Sequence, residues 1–337
     1  MADLVRQLPA QLGWAVPVPA GGWPRRLSGE PVAVLTTGGG GAAAGYLVGS
    51  LLQPRAAAPF VVSQGYEPPG WVGHNTPVLA VSYSGETEET VAATRLAHSR
   101  GARVVAVTTG GSLAAWAGEV GVPVVALPTG WPPRAALGYF WAVLLEAARA
   151  LGLSDVSAVE RAEAAAQAGA AAAAWLPEAP VAENDARRIA GALAGRIPVV
   201  YGAAPVTEAV AGRWKRQFGE NSKLLAFTNV VPHLHHDEVV GFSAPADLLD
   251  RVGLVLIRDG DEPNWARRRL DATRDLARGR LGAVVETPAP SGPVLARQLT
   301  LVALGDWVSV YLAAAAGVDP VPVEVIDRLK ARMAEGV

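Results

Sequence analysis

Cysteine is absent from this chain of 337 residues, and charge is nearly balanced, with 29 Lys and Arg residues against 31 Asp and Glu residues. The missing thiols exclude disulfides, a thiol nucleophile and a thiolate metal site. Because neither sign of charge is in excess, the chain shows no basic footprint of the kind that binds nucleic acid. The sequence therefore predicts no nucleic-acid partner.

Long apolar runs free of glycine, proline and charge are also missing, so the sequence predicts no membrane-spanning helix and no membrane partner. The first residues carry Asp3 and lack the continuous apolar segment of a signal peptide. We therefore expect a cytoplasmic protein. What the chain does have is a hydrophobic content of 50%, enough for a large buried core, and a length that fits two domains.

Short apolar segments alternate with longer helical ones along the chain. In the first half, strands are predicted at 32–36, 60–63, 78–81, 104–108 and 122–127, and helices at 42–52, 88–99 and 134–151. In the second half, strands are predicted at 199–201, 254–257 and 283–286, and helices at 207–218, 264–277 and 294–316. The alternation predicts an α/β fold with parallel, doubly wound sheets covered on both faces, each a flavodoxin-like three-layer sandwich. We predict two such domains, at 1–152 and 186–337, joined by a helical connector at 153–185.

The segment Pro77–Ala92 carries the clearest functional motif. A buried strand is followed by the hydroxyls of Ser82, Ser84 and Thr87, and then by a predicted helix. Hydroxyls, free amide groups and the positive end of the helix dipole would surround one point, which suits a phosphate dianion without any lysine. An ordinary capped turn needs one hydroxyl rather than three, so the motif favours a phosphate site.

A run of four glycines, Gly38–Gly41, follows the first predicted strand and precedes a helix. Such a loop occurs in dinucleotide-binding proteins, but here the G-x-G-x-x-G spacing is obscured and no acidic residue follows the second strand. The glycine run is therefore weak evidence for a nucleotide, and we expect no cofactor.

Three of the five histidines, His233, His235 and His236, lie beside Asp237 in the segment PHLHHDEVVG. An H-x-H pair with a carboxylate can bind zinc, but the i, i+4 pair of a helical metal site is missing. A solvated polar loop is the other alternative. Acid–base function is a third alternative, because a histidine with a pKa of ~6.5 exchanges protons at neutral pH. The pattern favours this function over a metal site.

The motif S-x-S-G-x-T-x-E-T resembles the phosphate-binding signature of the sugar isomerase (SIS) domain, which recognises phosphosugars. More widely, the chain resembles the bifunctional phosphoglucose/phosphomannose isomerase family, which is built of two SIS domains. The similar segments span about residues 36–331 and agree in order and spacing; they are SYSGETEET, PPRAALGY, GENSK, PHLHHDEVVG, LGDWVSVYLA and DPVPVEVIDRLK.

The resemblance implies an aldose–ketose isomerase of a phosphosugar and a role for each matching residue. Glu220 would be the base that moves a proton between C2 and C1, and Arg134 would stabilise the enediolate. His236 would open the sugar ring from across the interface of a homodimer, with Lys330 assisting. The residues implied to hold the phosphate are Ser82, Ser84, Thr87, Gly40 and Gly41.

Two positions depart from the family's pattern. Gly41 stands where relatives carry a serine that helps to hold the ligand, and Glu86 stands where they commonly carry asparagine. A carboxylate beside a phosphate dianion would repel it unless its side chain points into solvent.

Two other functions stay open at this point. A non-catalytic sensor of sugar phosphates would need the phosphate loop but has no use for four further residues together: Glu220, His236, Arg134 and Lys330. An isomerase of another phosphosugar would use the same phosphate loop.

Overall fold

The computed structural model of the chain describes residues 1–335, whose strands form two parallel sheets. The strands are β1 (Val32–Leu35), β2 (Phe60–Ser63), β3 (Pro77–Val81), β4 (Arg103–Thr108), β5 (Val124–Ala126), β6 (Ile197–Ala203), β7 (Phe227–Val231), β8 (Val252–Leu256) and β9 (Ala283–Glu286). The α-helices are α1 (Ala2–Val5), α2 (Leu8–Leu12), α3 (Gly39–Leu52), α4 (Glu88–Ser99), α5 (Gly111–Val120), α6 (Leu137–Ala150), α7 (Ala158–Ala172), α8 (Asp185–Leu193), α9 (Val206–Glu220), α10 (Ala246–Leu249), α11 (Asn264–Ala277), α12 (Val294–Ala315) and α13 (Glu324–Glu335).

The first sheet, sheet A, has the strand order β2-β1-β3-β4-β5, and every neighbouring pair is parallel. Alternate residues of β1 enter different cores: Val32 and Val34 pack with α3 and α6, whereas Ala33 and Leu35 pack with α4 and α5. Because both faces are covered, β1 and β3 are apolar throughout and fully buried. The predicted three-layer α/β fold is confirmed for this half.

The second sheet, sheet B, has the order β7-β6-β8-β9 and is also parallel. Val200 and Val255 on one face belong to the same core as Val32 and Val34 of sheet A, so one core joins the two sheets. The opposite face packs on α11. The proposed connector at 153–185 contains α7, which packs against α2 and α12.

Several elements are missing from the sequence prediction, including α1, α2, α8 and α10, and two more, β7 and α5, show why. Strand β7 lies at the edge of sheet B, so its residues Phe227 and Thr228 are exposed and the apolar run of a buried strand is absent. Helix α5 contains two glycines, Gly111 and Gly118, and alternates weakly between polar and apolar residues. Both elements depend on tertiary packing more than on a local pattern.

Helix α12 is long and apolar enough to cross a membrane, judged by length and composition alone. In the structure 72% of its most apolar stretch is buried inside the protein, where it packs against α7, α8 and α9. It also carries Asp306, which forms a buried ion pair with Arg213 of α9 at 2.8 Å. These features are typical of the core helix of a globular protein.

Candidate active site

The last turn of α9 meets the first turn of α3 at the carboxyl end of sheet A. Helix α3 follows β1 and begins at Gly39. An added Cβ on Gly39 would lie 3.0 Å from Glu220 Oε1, so the Glu220 carboxylate rests directly on this turn. The side chain of Glu220 remains 27% exposed. A carboxylate thus lies at the positive end of a helix, within reach of a molecule in solvent.

Gly40 and Gly41 allow the first turn of α3 to pack closely against Pro133 and Thr36. A Cβ at Gly40 would overlap the carbonyl oxygen of Pro133, and a Cβ at Gly41 would lie 2.5 Å from Thr36 Oγ1. Because the Thr36 hydroxyl fills the space beside Gly41, a serine there would require Thr36 to move. Gly41, which stands where relatives carry serine, therefore fits a structure in which the Thr36 hydroxyl occupies the neighbouring space.

Arg134 lies beside Glu220 in a 3-10 turn that precedes α6. Its Nη1 atom is 3.8 Å from Glu220 Oε2, and its Nε atom donates to Asn221 Oδ1 at 2.8 Å. Its Nη2 atom donates to the carbonyl oxygens of Pro320 and Val321 at 2.8 and 2.6 Å. Burial lowers the pKa of the guanidinium, whereas Glu220 raises it. Arg134 therefore holds the C-terminal segment with one edge and faces the carboxylate with the other.

The hydroxyl-rich loop follows β3, the strand beside β1. Ser82 Oγ and Thr87 Oγ1 are 2.9 Å apart, and Ser82 Oγ also accepts from the Gly85 amide at 3.2 Å. Ser84 is exposed, and its Oγ accepts from the Glu86 amide. Thr87 occupies the N-cap position of α4, but its hydroxyl makes no cap hydrogen bond. The first-turn amides of α4 are therefore not capped by Thr87.

Gly85 fixes the path of this loop. It has a φ of 73°, and a Cβ at this position would overlap the carbonyl oxygen of Gly110 in the neighbouring loop. The Glu86 carboxylate accepts from the Ser112 amide at 2.7 Å, at the start of α5. Since this bond anchors the Glu86 side chain to another helix, the carboxylate is not free to turn toward the loop's own hydroxyls.

His235 is a structural histidine in the 3-10 helix His233–His236 that follows β7. Its Nε2 atom is 2.7 Å from Thr273 Oγ1, and its Nδ1 atom is 3.1 Å from Arg269 Nη1. Burial lowers the pKa of His235, and Arg269 lowers it further, so the neutral ring is favoured. Among residues 1–335, no group of three or more His, Asp or Glu side chains is placed to hold a metal ion.

Glu238 anchors the histidine segment to sheet B. Its Oε1 atom accepts from the Tyr201 hydroxyl at 2.5 Å, and its Oε2 atom accepts from the side-chain amide of Asn229. His236 is exposed, and its ring makes no hydrogen bond to any other part of the chain that the structure describes. The segment is thus fixed to the sheet while His236 faces outward.

The structure does not bring all the predicted residues together within one chain. Helix α9 runs from the carboxyl end of β6 back to the amino end of β7, so Glu220 lies near the amino end of sheet B. His236 follows the carboxyl end of β7, so the length of this strand, about 16 Å at ~3.3 Å per residue, lies between the two ends. Lys330 is exposed on α13, beyond the segment that Arg134 holds.

The chain is similar to known proteins over most of its length. A bifunctional phosphoglucose/phosphomannose isomerase from Caldicellulosiruptor bescii is 37% identical over 302 residues, which cover 90% of this chain and 89% of that protein. One from Aquifex aeolicus is 34% identical over 272 residues, covering 81% and 80%. The chain belongs to the bifunctional phosphoglucose/phosphomannose isomerase family.

The matches divide along the chain as the two sheets do. The family model of the bacterial phospho-glucose isomerase C-terminal SIS domain matches residues 182–333, and that of the SIS domain matches residues 41–117. Among solved structures, a glucose-6-phosphate isomerase like protein from Thermus thermophilus superposes with a TM-score of 0.61 at 24% identity, covering 94% of this chain and 92% of the other. The predicted family and the SIS fold are confirmed.

For this member of the family, the structure adds residues that the sequence reasoning did not single out. Asn221 is fully buried, accepts from Arg134 and donates to Ser309 Oγ at 2.9 Å. Lys223 has a φ of 57°, and its ammonium donates to the carbonyl oxygens of Glu220 and Pro322. Both residues lie in the segment GENSK. The short run of polar residues after a predicted helix is the sequence feature that could have pointed to them.

Proposed function

We propose that the protein is an aldose–ketose isomerase that interconverts glucose 6-phosphate and mannose 6-phosphate with fructose 6-phosphate. The observation that carries the proposal is the placement of the Glu220 carboxylate between the first turn of α3 and the Arg134 guanidinium. A base and a cation then face the same space, beside the hydroxyl-rich loop at the end of β3.

The phosphate group would bind at this loop. Ser84 and the paired hydroxyls of Ser82 and Thr87 offer hydrogen bonds, and the uncapped start of α4 adds amide donors and a positive dipole. The first turn of α3, with Gly40 and Gly41, lies across from the loop at the end of the neighbouring strand. Two helix N-termini at the carboxyl end of a parallel sheet form the usual crevice for a phosphorylated ligand.

The proton transfer would use Glu220. In the open-chain aldose, Glu220 takes the proton from C2 while the C1 carbonyl oxygen gains the negative charge, so that an enediolate forms, and the proton of the C2 hydroxyl then passes to the C1 oxygen. Glu220 then returns a proton to C1 as the C2 oxygen becomes the ketose carbonyl. Nη1 of Arg134 faces the carboxylate and would stabilise the negative oxygen between these steps.

The same intermediate accounts for both aldoses. Glucose 6-phosphate and mannose 6-phosphate differ only in configuration at C2, and C2 is planar in the enediolate. Loss of the C2 proton therefore erases the difference between them, and a single carboxylate suffices for both conversions. The geometry at Glu220 leaves the ratio of the two products to the orientation of the bound sugar.

The ring-opening histidine would come from a second copy of the chain. Glu220 and His236 lie at opposite ends of sheet B, so one chain alone does not assemble them around a sugar. We propose a homodimer in which His236 of one copy reaches the phosphate loop and Glu220 of the other. Lys330 would assist ring opening from α13.

Exposed apolar side chains in β7 and in the segments that flank it support this assembly. Leu225 and Val240 are 78% and 72% exposed, and Phe227 and Leu248 are more than half exposed. A groove of about 980 Å³ runs between α3, α9 and the edge strands β2 and β7. Exposed apolar side chains beside two unpaired sheet edges are typical of a surface that another chain covers.

The test is incubation of the purified protein with fructose 6-phosphate in D₂O, followed by NMR. We expect both aldose 6-phosphates, with deuterium at C2 in each, because the base exchanges its proton with solvent. Binding of fructose 6-phosphate without turnover would indicate a sensor instead. We place the reaction in the cytoplasm, because a phosphosugar dianion does not cross a lipid bilayer unaided.

A further inference from the structure

Two cations hold the segment between α12 and α13. Arg134 donates to the carbonyl oxygens of Pro320 and Val321, and Lys223 Nζ donates to that of Pro322 at 2.7 Å. Three consecutive carbonyl groups are thus bound from one side. The side chains of Val321 and Pro322 are exposed, so apolar burial contributes little to holding this segment in place.

Helix α13 depends on this anchor for its position. Val325, Leu329 and Met333 lie one and two turns apart on one face, yet they are 70%, 58% and 51% exposed. A helix of 12 residues is only marginally stable without packing. The point from which α13 starts is therefore set by the anchored segment before it.

Lys223 joins that segment to the end of α9. It adopts a left-handed backbone, which a residue with a Cβ enters at a cost, and this conformation directs its side chain back over the helix end. Its ammonium donates to the carbonyl oxygen of Glu220 at 2.5 Å as well as to Pro322. The backbone of the proposed base and the segment leading to Lys330 therefore share one ammonium group.

We propose that Lys223 is a positioning residue, which fastens the C-terminal segment to the Glu220 end of α9 and so delivers Lys330 to the active site. The inference rests on the proposed function, since it takes Glu220 as the base and Lys330 as an aid to ring opening. Lys223 suits this role better than Arg134 as a test position. Its side chain is exposed and binds only backbone carbonyls, so its removal leaves no charge buried.

The decisive variant is Lys223→Met, which keeps the length of the side chain and removes the ammonium. Because the chain has no cysteine, Ala331→Cys on α13 accepts a single nitroxide label whose mobility reports the segment directly. We expect Lys223→Met to make the label markedly more mobile and Lys223→Arg to keep it near the wild-type mobility. Lys215→Met is the matched control, because Lys215 is an exposed lysine on α9, the helix that Lys223 follows.

Kinetics separate positioning from a purely structural role. We expect Lys223→Met to lower kcat roughly 10–100-fold with little change in the KM for fructose 6-phosphate, as misplacement of a catalytic group does. Lys330→Ala should give a similar loss. The double variant should have a kcat no lower than that of Lys330→Ala, because both substitutions remove the same contribution, that of Lys330.

Two results would overturn the proposal. One is a label on α13 that stays equally immobile in Lys223→Met; the other is a double variant whose losses multiply. An inactive wild-type protein would instead refute the proposed function, and the mobility of the label would still show whether Lys223 holds the segment.

Discussion

The Arg134 guanidinium and the Glu220 carboxylate face each other with Nη1 and Oε2 3.8 Å apart, although they belong to different halves of the chain. Arg134 precedes α6 on sheet A, and Glu220 ends α9 on sheet B. The pair also links to the buried ion pair of Arg213 and Asp306, because Arg213 Nη2 donates to the carbonyl oxygen of Arg134 at 2.8 Å. The candidate site therefore exists only when the shared core between the sheets is formed.

The proposed base is tested by Glu220→Gln, which preserves shape and removes basicity. We expect kcat to fall by ~10²–10⁴ while the protein stays folded, because the amide cannot accept the C2 proton. Circular dichroism and the melting temperature check the fold. Glu163→Gln, an exposed change on α7, is the control for the loss of one carboxylate. Near-normal turnover in Glu220→Gln would remove Glu220 from the mechanism.

The phosphate loop is tested by Ser84→Ala and Thr87→Ala. Each substitution removes a hydrogen bond to a charged group, worth about 1.5–3 kcal/mol, so we expect KM to rise roughly 10–100-fold per variant with a smaller change in kcat. Ser99→Ala at the far end of α4 is the matched control, since its hydroxyl bonds only to Leu96 O. If the double variant of Ser84 and Thr87 keeps the wild-type KM, the phosphate binds elsewhere.

Much of the fold was predictable because buried parallel strands leave a strong local pattern. Strand β2 and helix α4 were predicted to the residue, as were α11 and β9. Strand β7 was not, because an edge strand with exposed residues such as Phe227 and Thr228 has no continuous apolar run. The pairing of elements across the two sheets is a tertiary property, which local periodicity does not encode.

The site was predictable only in part, for a different reason. Motif resemblance supplied Glu220 and Arg134, which the structure brings together. It gave no sign of the bonds from Arg134 and Lys223 to Pro320 and nearby carbonyl groups. Every residue has a carbonyl group, so an anchor that uses carbonyl oxygens leaves no trace in side-chain identity.

Stability should depend on pH through His235. Burial and then Arg269 lower the pKa of His235 in the folded protein, below the ~6.5 of the unfolded chain. The unfolded state therefore binds more protons as the pH falls, so the stabilisation is complete above about pH 6.5 and is lost as the pH drops toward the folded pKa. We expect wild type to lose more unfolding free energy between pH 7.5 and 5.5 than His235→Gln does. Denaturant titrations at both pH values measure this difference, and equal losses would show that His235 is not held neutral.

The buried ion pair between α9 and α12 should tolerate joint replacement better than the loss of one partner. Burial raises the pKa of Asp306, and Arg213 opposes this shift. Arg213→Met leaves a buried carboxylate without its partner and should cost about 3–5 kcal/mol of unfolding free energy. The double variant with Asp306→Leu should recover most of that loss.

Denaturant unfolding at one protein concentration measures these costs. The exposed pair of Arg188 and Asp185 is the control, and its removal should cost no more than about 1 kcal/mol. A double variant as unstable as Arg213→Met would show that the hydrogen bond from Arg213 to Arg134, rather than the ion pair, stabilises the helix packing.

The proposed dimer makes a prediction about mixtures of inactive chains. If His236 of one copy acts on a sugar bound by Glu220 of the other, each site contains residues of both chains. A heterodimer of Glu220→Gln and His236→Ala chains then has one site with both lesions and one site with neither. With random exchange, half of the dimers are mixed and each has one intact site, so about a quarter of wild-type activity should return.

Differently tagged chains show whether subunits have exchanged, and activity is measured after exchange is complete. Each variant alone sets the background, and a mixture of Glu220→Gln with the untagged form of itself controls for effects of mixing. Glu220 and His236 lie at opposite ends of sheet B, so they do not meet within one chain. Confirmed exchange without recovered activity would therefore mean that His236 does not take part in the reaction, and ring opening would fall to a residue of the same chain such as Lys330.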